Sequence, residues 1–232
     1  MHFVILNIVL SSVFVLAMRW YQVRDGKDIM SVGAVNYITG WILALVLFSL
    51  PENRSYSTHA ITWGAVNGVG YFAGFFLLLG TMKLKGAAKA AVFARLSIIV
   101  PIAVGVAFWG ERPNVVEWVG IVLASMSLIL LGHTPASQGG LTRAAFITIA
   151  LFFMVAGGSR LAQESFNHLA KPQEQFSFLV ANFTVSALGS AIMLWKRNRW
   201  PTWHEYWMGG LVGTSNVLQT LFILKALDFY PG

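Results

Sequence analysis

Residues 86–133 read GAAKAAVFARLSIIVPIAVGVAFWGERPNVVEWVGIVLASMSLILLGH. Two apolar runs, 87–109 and 115–133, flank a polar turn from Gly110 to Asn114. Crossing a hydrocarbon core of ~30 Å takes about 20 mostly apolar residues at 1.5 Å each, and both runs are long enough. Backbone in hydrocarbon must satisfy its own hydrogen bonds, so such runs are helices, and the alternating strands of a barrel are absent. Working outward, the same reading gives eight spans, near 2–18, 31–50, 60–82, 87–109, 115–133, 143–161, 176–195 and 205–227. The breaks are short and polar, leaving no room for a separate soluble domain. Only His2 precedes the first run, without a basic stretch or an A-x-A site, so that run reads as a span rather than a signal peptide.

Composition agrees. Charged residues make up 11% of the 232 positions against roughly 25% in a typical soluble domain, and mean hydropathy is +0.66. Too few ionisable groups remain to coat a soluble globule, which excludes a soluble enzyme, a disordered chain and a nucleic-acid binder. The net charge of +7 comes from Lys and Arg scattered over short loops, as at a membrane surface. Trp20, Trp63, Trp109, Trp118, Trp195, Trp200, Trp203 and Trp207 lie near span ends, where indole rings gather at the interface; Trp41 is mid-span. Loops after spans one, three, five and seven carry ten of the 16 Lys and Arg, so the positive-inside rule puts the amino terminus outside.

The chain repeats itself. Ala34-Val35-Asn36-Tyr37 in span two matches Val180-Ala181-Asn182-Phe183 in span seven. Gly64 and Gly68 ahead of Phe76-Leu77-Leu78-Leu79 match Gly209 and Gly213 ahead of Leu221-Phe222-Ile223-Leu224, and Phe3-Val4-Ile5 matches Phe146-Ile147-Thr148. The offsets are nearly equal, about 145 residues, and pair span one with six, two with seven and three with eight. A repeat of five spans is odd-numbered, so its second copy enters the membrane from the opposite side. That is a transporter architecture, with the site near the midplane between the copies. The fold class expected is therefore an all-α integral membrane protein, with repeats at 1–134 and 142–232.

A helix with a proline, a Gly110-Glu111 turn and a Gly-containing span ending in a Leu/Ile run resembles the EamA domain of the drug/metabolite transporter superfamily. The resemblance implies ten helices in two five-helix repeats, a small solute moved by alternating access, and both termini in the cytoplasm, against the charge count. This chain supplies eight of the ten. Gly232 aligns near residue 87, so the counterparts of Ala87 to His133, a second Gly-Glu turn and two helices, are missing: the chain reads either as a fragment, its missing helices supplied by further chain or a second copy, or as an eight-helix remnant.

Polar residues inside apolar helices are the candidate cavity lining. Arg95 lies about 8 Å inside span four, and a charge in a span costs about 2.5–3.5 kcal/mol on insertion scales. It reads as a cation that holds or gates an anionic group, or as an Arg snorkelling to the interface beside Lys89. Asn36 with Gly40, Asn67 with Tyr71, Asn182 with Ser186 and Ser190, and Asn216 with Thr220 fall on shared helix faces, as do Asn7 and Ser11; Trp41 lies beside Asn36 and Gly40, and Gln219 beside Thr220. Such faces avoid lipid and turn to neighbouring helices or a wet cavity; the plainer reading is interhelical hydrogen bonding. Pro101 is expected to kink span four and free the Ser97 carbonyl. Gly110 and Glu111 read as a turn, with Glu111 stabilising it. Lys196-Arg197-Asn198-Arg199 reads as an anchor to anionic lipid.

No GxxxxGK[ST], HExxH or GxSxG occurs, cysteine is absent, and the five histidines lie at span ends or in loops. No cofactor, metal or catalytic cluster is expected. The expectation is a secondary carrier of a small organic metabolite or drug, in the bilayer of the bacterial cytoplasmic membrane. The alternatives are a fragment that needs further helices to transport and, further off, a membrane enzyme.

Overall fold

The computed structural model describes residues 2–22, 28–50, 55–132 and 143–229. They form α1 (His2–Gln22), α2 (Ile29–Ser49), α3 (Thr58–Lys85), α4 (Ala87–Leu96), α5 (Ile99–Val104), α6 (Val115–Gly132), α7 (Arg143–Leu169), α8 (Gln175–Arg197) and α9 (Trp203–Phe229). A π-helical turn, Gly105–Trp109, ends α5, and a 3-10 turn, Pro172–Glu174, leads into α8. No strand occurs among the described residues. The protein is all-α, and among the described residues seven helical stretches are long and apolar enough to cross a membrane. The expected fifth span is the 18-residue α6. The boundary expected at 134–142 and the loop residues Arg24, Lys27 and Arg54 lie outside the described residues.

The chain divides into two compact units, Met1–Phe72 with Ala162–Pro231, and Ala73–Leu161 with Gly232. In the first unit α2 packs on α8 and α9, and α1 packs on α9. Phe178, Leu179, Phe183, Val212, Val217 and Leu224 are its buried centre. Glycines set how closely its helices approach. A Cβ on Gly64 would stand 2.6 Å from the Phe178 carbonyl oxygen, and one on Gly68 would overlap that of Asn182. A Cβ on Gly209 would stand 2.9 Å from the Val32 carbonyl oxygen, and one on Gly213 would stand 2.5 Å from that of Asn36. The α3–α8 contact and the α9–α2 contact thus use residues 145 or 146 apart. On α1, which lies at the edge of this unit, Ile5, Ile8 and Leu16 are exposed apolar side chains, as a lipid-facing helix requires.

In the second unit the fourth span is interrupted rather than continuous over 87–109. Pro101 has no N–H to offer the Ser97 carbonyl. That carbonyl is not left free, as expected from sequence: it accepts a shorter-range bond from the Val100 N–H at 3.1 Å. The helix tightens by one residue at Ser97-Ile98 and then restarts. Gly157 of α7 fits against this break, where a Cβ would stand 2.8 Å from Val100 Cβ. Beyond α5, Gly110 takes φ +71°, a left-handed conformation that glycine adopts without strain. Glu111 then donates its N–H to the Gly105 carbonyl at 3.1 Å, and its carboxylate folds onto Gly105, where a Cβ would overlap it. The Gly-Glu turn is therefore a helix stop, with the Glu111 side chain folded against it.

Candidate functional site

The first unit buries a connected set of neutral polar side chains. Gln163 of α7 donates its Nε2–H to the Tyr71 hydroxyl of α3 at 3.3 Å, and Tyr71 lies 2.8 Å from the Thr220 hydroxyl of α9. Thr220 gives its own proton to the Asn216 carbonyl at 2.8 Å, so the Tyr71 hydroxyl is the donor of that pair. Tyr37 of α2 donates to the Tyr71 carbonyl at 2.6 Å. A second line runs through side-chain amides. Gln219 Nε2 donates to Asn216 Oδ1 at 2.9 Å, and Asn216 Nδ2 donates to Asn36 Oδ1 at 3.2 Å. Asn7 of α1 closes it by donating to the Gln219 carbonyl at 2.7 Å.

The α3–α8 contact carries a matching pair: Asn67 Nδ2 donates to Asn182 Oδ1 at 2.9 Å, and the Ser186 hydroxyl lies 3.0 Å from the Gly68 carbonyl. Asn36, Asn67, Asn182, Ser186 and Thr220 are fully buried. Buried polar groups stay in place only when bonded, and such networks hold helices in one arrangement.

Of the residues expected to line a cavity, Asn36, Asn67, Tyr71, Asn182, Asn216 and Gln219 come together in this unit. Trp41, on the same helix as Asn36, is 37% exposed and makes no part of these bonds. Arg95 belongs to the second unit, half-buried in the last turn of α4 just before the break at Ser97. Tyr37 and Gln163 were not foreseen as members. Gln163 lies just past the sixth span as read from the sequence, 143–161. Instead α7 runs on to Leu169, since Ala162 and Phe166 are buried, with Phe166 packed 4.8 Å from the Phe178 ring. Glu164 then meets His168, one turn on, at 3.6 Å.

Charged groups gather at the helix ends. Asp28 precedes α2 and accepts from the Met30 N–H at 3.1 Å, from the Ser31 hydroxyl at 2.7 Å and from Arg197 at 2.9 Å. Arg199 also reaches Asp28 and bonds Glu205 at 2.9 Å, while Glu205 accepts the Thr202 N–H at 2.7 Å. Arg197 and Arg199 are thus structural clamps rather than the free lipid anchors expected of that run. Their attraction holds at short range because Asp28 and Glu205 are largely shielded from water. Burial by itself would raise the Asp28 carboxyl, but the bonds from Ser31, Arg197 and Met30 and the Arg197 charge outweigh it and hold it below its usual range. Glu205, its main partner, raises Arg199. Tyr21, at the end of α1, lies within electrostatic reach of Glu205, Arg199 and Asp28.

On the opposite end, Glu174 precedes α8. It accepts from the Ser57 hydroxyl at 2.7 Å, the Lys171 N–H at 3.1 Å and the Ser55 hydroxyl at 3.5 Å. Ser57 in turn accepts the Ala60 N–H at 3.1 Å and so caps α3.

The profile of the EamA-like transporter family matches residues 1–132. A Listeria monocytogenes protein named "Putative sugar uptake protein" is 25% identical over 134 residues, which is 56% of this chain and 45% of that protein. The matched stretch is therefore less than half of that relative's length. No solved structure matches significantly.

Proposed function

The chain belongs to the EamA-like transporter family, and from that premise we propose that it is a secondary carrier for a small neutral solute rich in hydroxyl groups, a sugar or polyol. It is a multi-pass integral membrane protein, and its family and relative point to a transporter rather than an enzyme. The observation that carries the substrate reading is the buried amide and hydroxyl set of the first unit. Every side chain named in it is neutral and offers hydrogen bonds, the complement of a hydroxylated solute rather than of an ion. The relative's printed name supports the same class.

The mechanism proposed is alternating access by two inverted five-helix repeats in the bacterial cytoplasmic membrane. Its support is the recurrence of like contacts at offsets of 145 and 146: the paired glycines, the paired asparagines and the paired acids ahead of α2 and α8. Arg197 at the end of α8 bonds Asp28 at the start of α2, so these two helices run antiparallel, as inverted copies must. Any helices beyond Gly232 would complete the second repeat. Arg95, in the other unit, is proposed to act in gating rather than in the neutral set.

Reconstitution tests this. Vesicles holding the chain, preloaded with D-glucose, should take up labelled D-glucose by exchange faster than empty vesicles and faster than they take up labelled L-glucose. Exchange at the empty-vesicle rate for D-glucose, ribose and glycerol alike would reject the substrate class.

A further inference from the structure

We propose that the side-chain amino groups of Asn36 and Asn182 are a related pair of donors to the solute, binding its hydroxyl or ring oxygens. The inference rests on the carrier reading above. Each of these amides uses its oxygen: Asn36 accepts from Asn216 at 3.2 Å and Asn182 from Asn67 at 2.9 Å. Neither Nδ2 has a hydrogen-bond partner among the described residues, although both are fully buried. Asn216, one bond away, differs in using both ends, with its oxygen on Gln219 and its nitrogen on Asn36.

An unmade bond at a buried amide costs about 1–3 kcal/mol, and an apolar side chain of like shape would avoid it. That the cost falls twice, at residues 146 apart, marks the two positions as one device rather than two accidents. Asn36 is seven residues past the start of α2, and Asn182 is seven past the start of α8. Each amide therefore lies about 10 Å inside, entered from opposite ends, at 1.5 Å per residue. Both are also close to where α2 crosses α8. There Gly40 meets the Phe183 ring so closely that a Cβ would stand 2.5 Å from it. An opening at that crossing is the proposed route by which one solute would reach both amino groups.

The chemistry narrows the substrate. Two amino donors need oxygen acceptors opposite them. A sugar supplies these in every hydroxyl and in its ring oxygen, whereas an ammonium group supplies none. Amines are accordingly excluded as the group held at this pair.

The test uses Asn36→Asp and Asn182→Asp, which keep shape and the accepting oxygen but replace the amino group. Asn36→Ser and Asn182→Ser remove it with less bulk, should either aspartate fail to fold. Two readouts are taken on the full chain: D-glucose exchange in vesicles, and the rise in melting temperature that D-glucose gives in detergent. Each substitution should raise the half-saturating D-glucose concentration about tenfold, the equivalent of one hydrogen bond at 1.4 kcal/mol per decade, with maximal rate within about twofold. The glucose-dependent rise in melting temperature should shrink to match. An unchanged half-saturation and an unchanged rise would overturn the pair. So would a lower melting temperature without sugar at unchanged half-saturation, because the amides would then serve packing alone. If the variants match a wild-type chain that does move D-glucose, only this inference falls. A wild-type chain that neither moves D-glucose nor is stabilised by it takes the carrier reading down as well.

Discussion

Asp28 and Glu174 stand 146 residues apart, each just ahead of a central helix, and each ties down the loop that enters a glycine-lined helix. Ser57, ahead of α3, meets Glu174; Thr202, ahead of α9, meets Glu205 beside Arg199 and Asp28. The two ends do the same mechanical work with different chemistry. At the Asp28 end two guanidiniums are shared between two carboxylates. At the Glu174 end two serine hydroxyls and one backbone N–H suffice. A duplicated scaffold therefore fixes where a loop must be held but leaves open whether ions or hydroxyls hold it. The ends should then answer differently to mutation.

The largest difference is expected from Arg199→Ala. Glu205 is only 1% exposed and would lose the cation that bonds it. Breaking a buried pair from one side costs about 3–5 kcal/mol. Hydrogen exchange on the detergent-solubilised chain should show α9 opening at its first turn, with the start of α3 unaffected. Equal opening at both ends would show that the ends are not independent.

Ser57→Ala should cost less, about 1 kcal/mol, for the lost cap of α3 and one bond to Glu174. It should loosen the start of α3 and leave the start of α9 as it was. A cost as large as that of Arg199→Ala would mean that the hydroxyl end is as strained as the ionic one.

Acid is expected to have the smallest effect. The Asp28 carboxyl titrates below its ordinary value of 3.8 in the folded chain, so its contribution is complete above that pH and fades as pH falls through the folded value. Protonating Asp28 leaves the Arg199 side chain itself in place, which is why the effect should fall short of removing Arg199. Between pH 7 and 5 the first turn of α2 should exchange hydrogen at a constant intrinsic-corrected rate, and below about 3.8 it should quicken. Quickening already at pH 5 would contradict the depressed carboxyl.

Much of this was legible in the sequence. The spans could be read because hydrocarbon demands long apolar helices, and Pro101 pointed to the interruption of the fourth. The Asn residues of α2, α3, α8 and α9 stood out because polar side chains are costly in such helices. Gln163 escaped because Gln163-Glu164-Ser165 carries the polarity of a loop, while the apolar partners that keep it helical lie elsewhere in the chain. Tyr37 shows in the sequence only as part of the repeat beside Asn36, and its role appears once Tyr71 is seen within reach of its hydroxyl. Arg197 was misread because its acid partner is 169 residues away, a distance over which charge patterning along the sequence has no power.

The glycine contacts have a consequence for how the sequence can drift. Gly40 faces the Phe183 ring and Gly157 faces Val100, so a larger residue at either could be accommodated by trimming the opposing side chain. Gly64, Gly68 and Gly213 face main-chain oxygens, of Phe178, Asn182 and Asn36. Every amino acid carries that same oxygen, so no second substitution opposite can make room. Descendants of this protein can exchange partners at the first kind of contact, but at the second they have no compensating mutation to reach for.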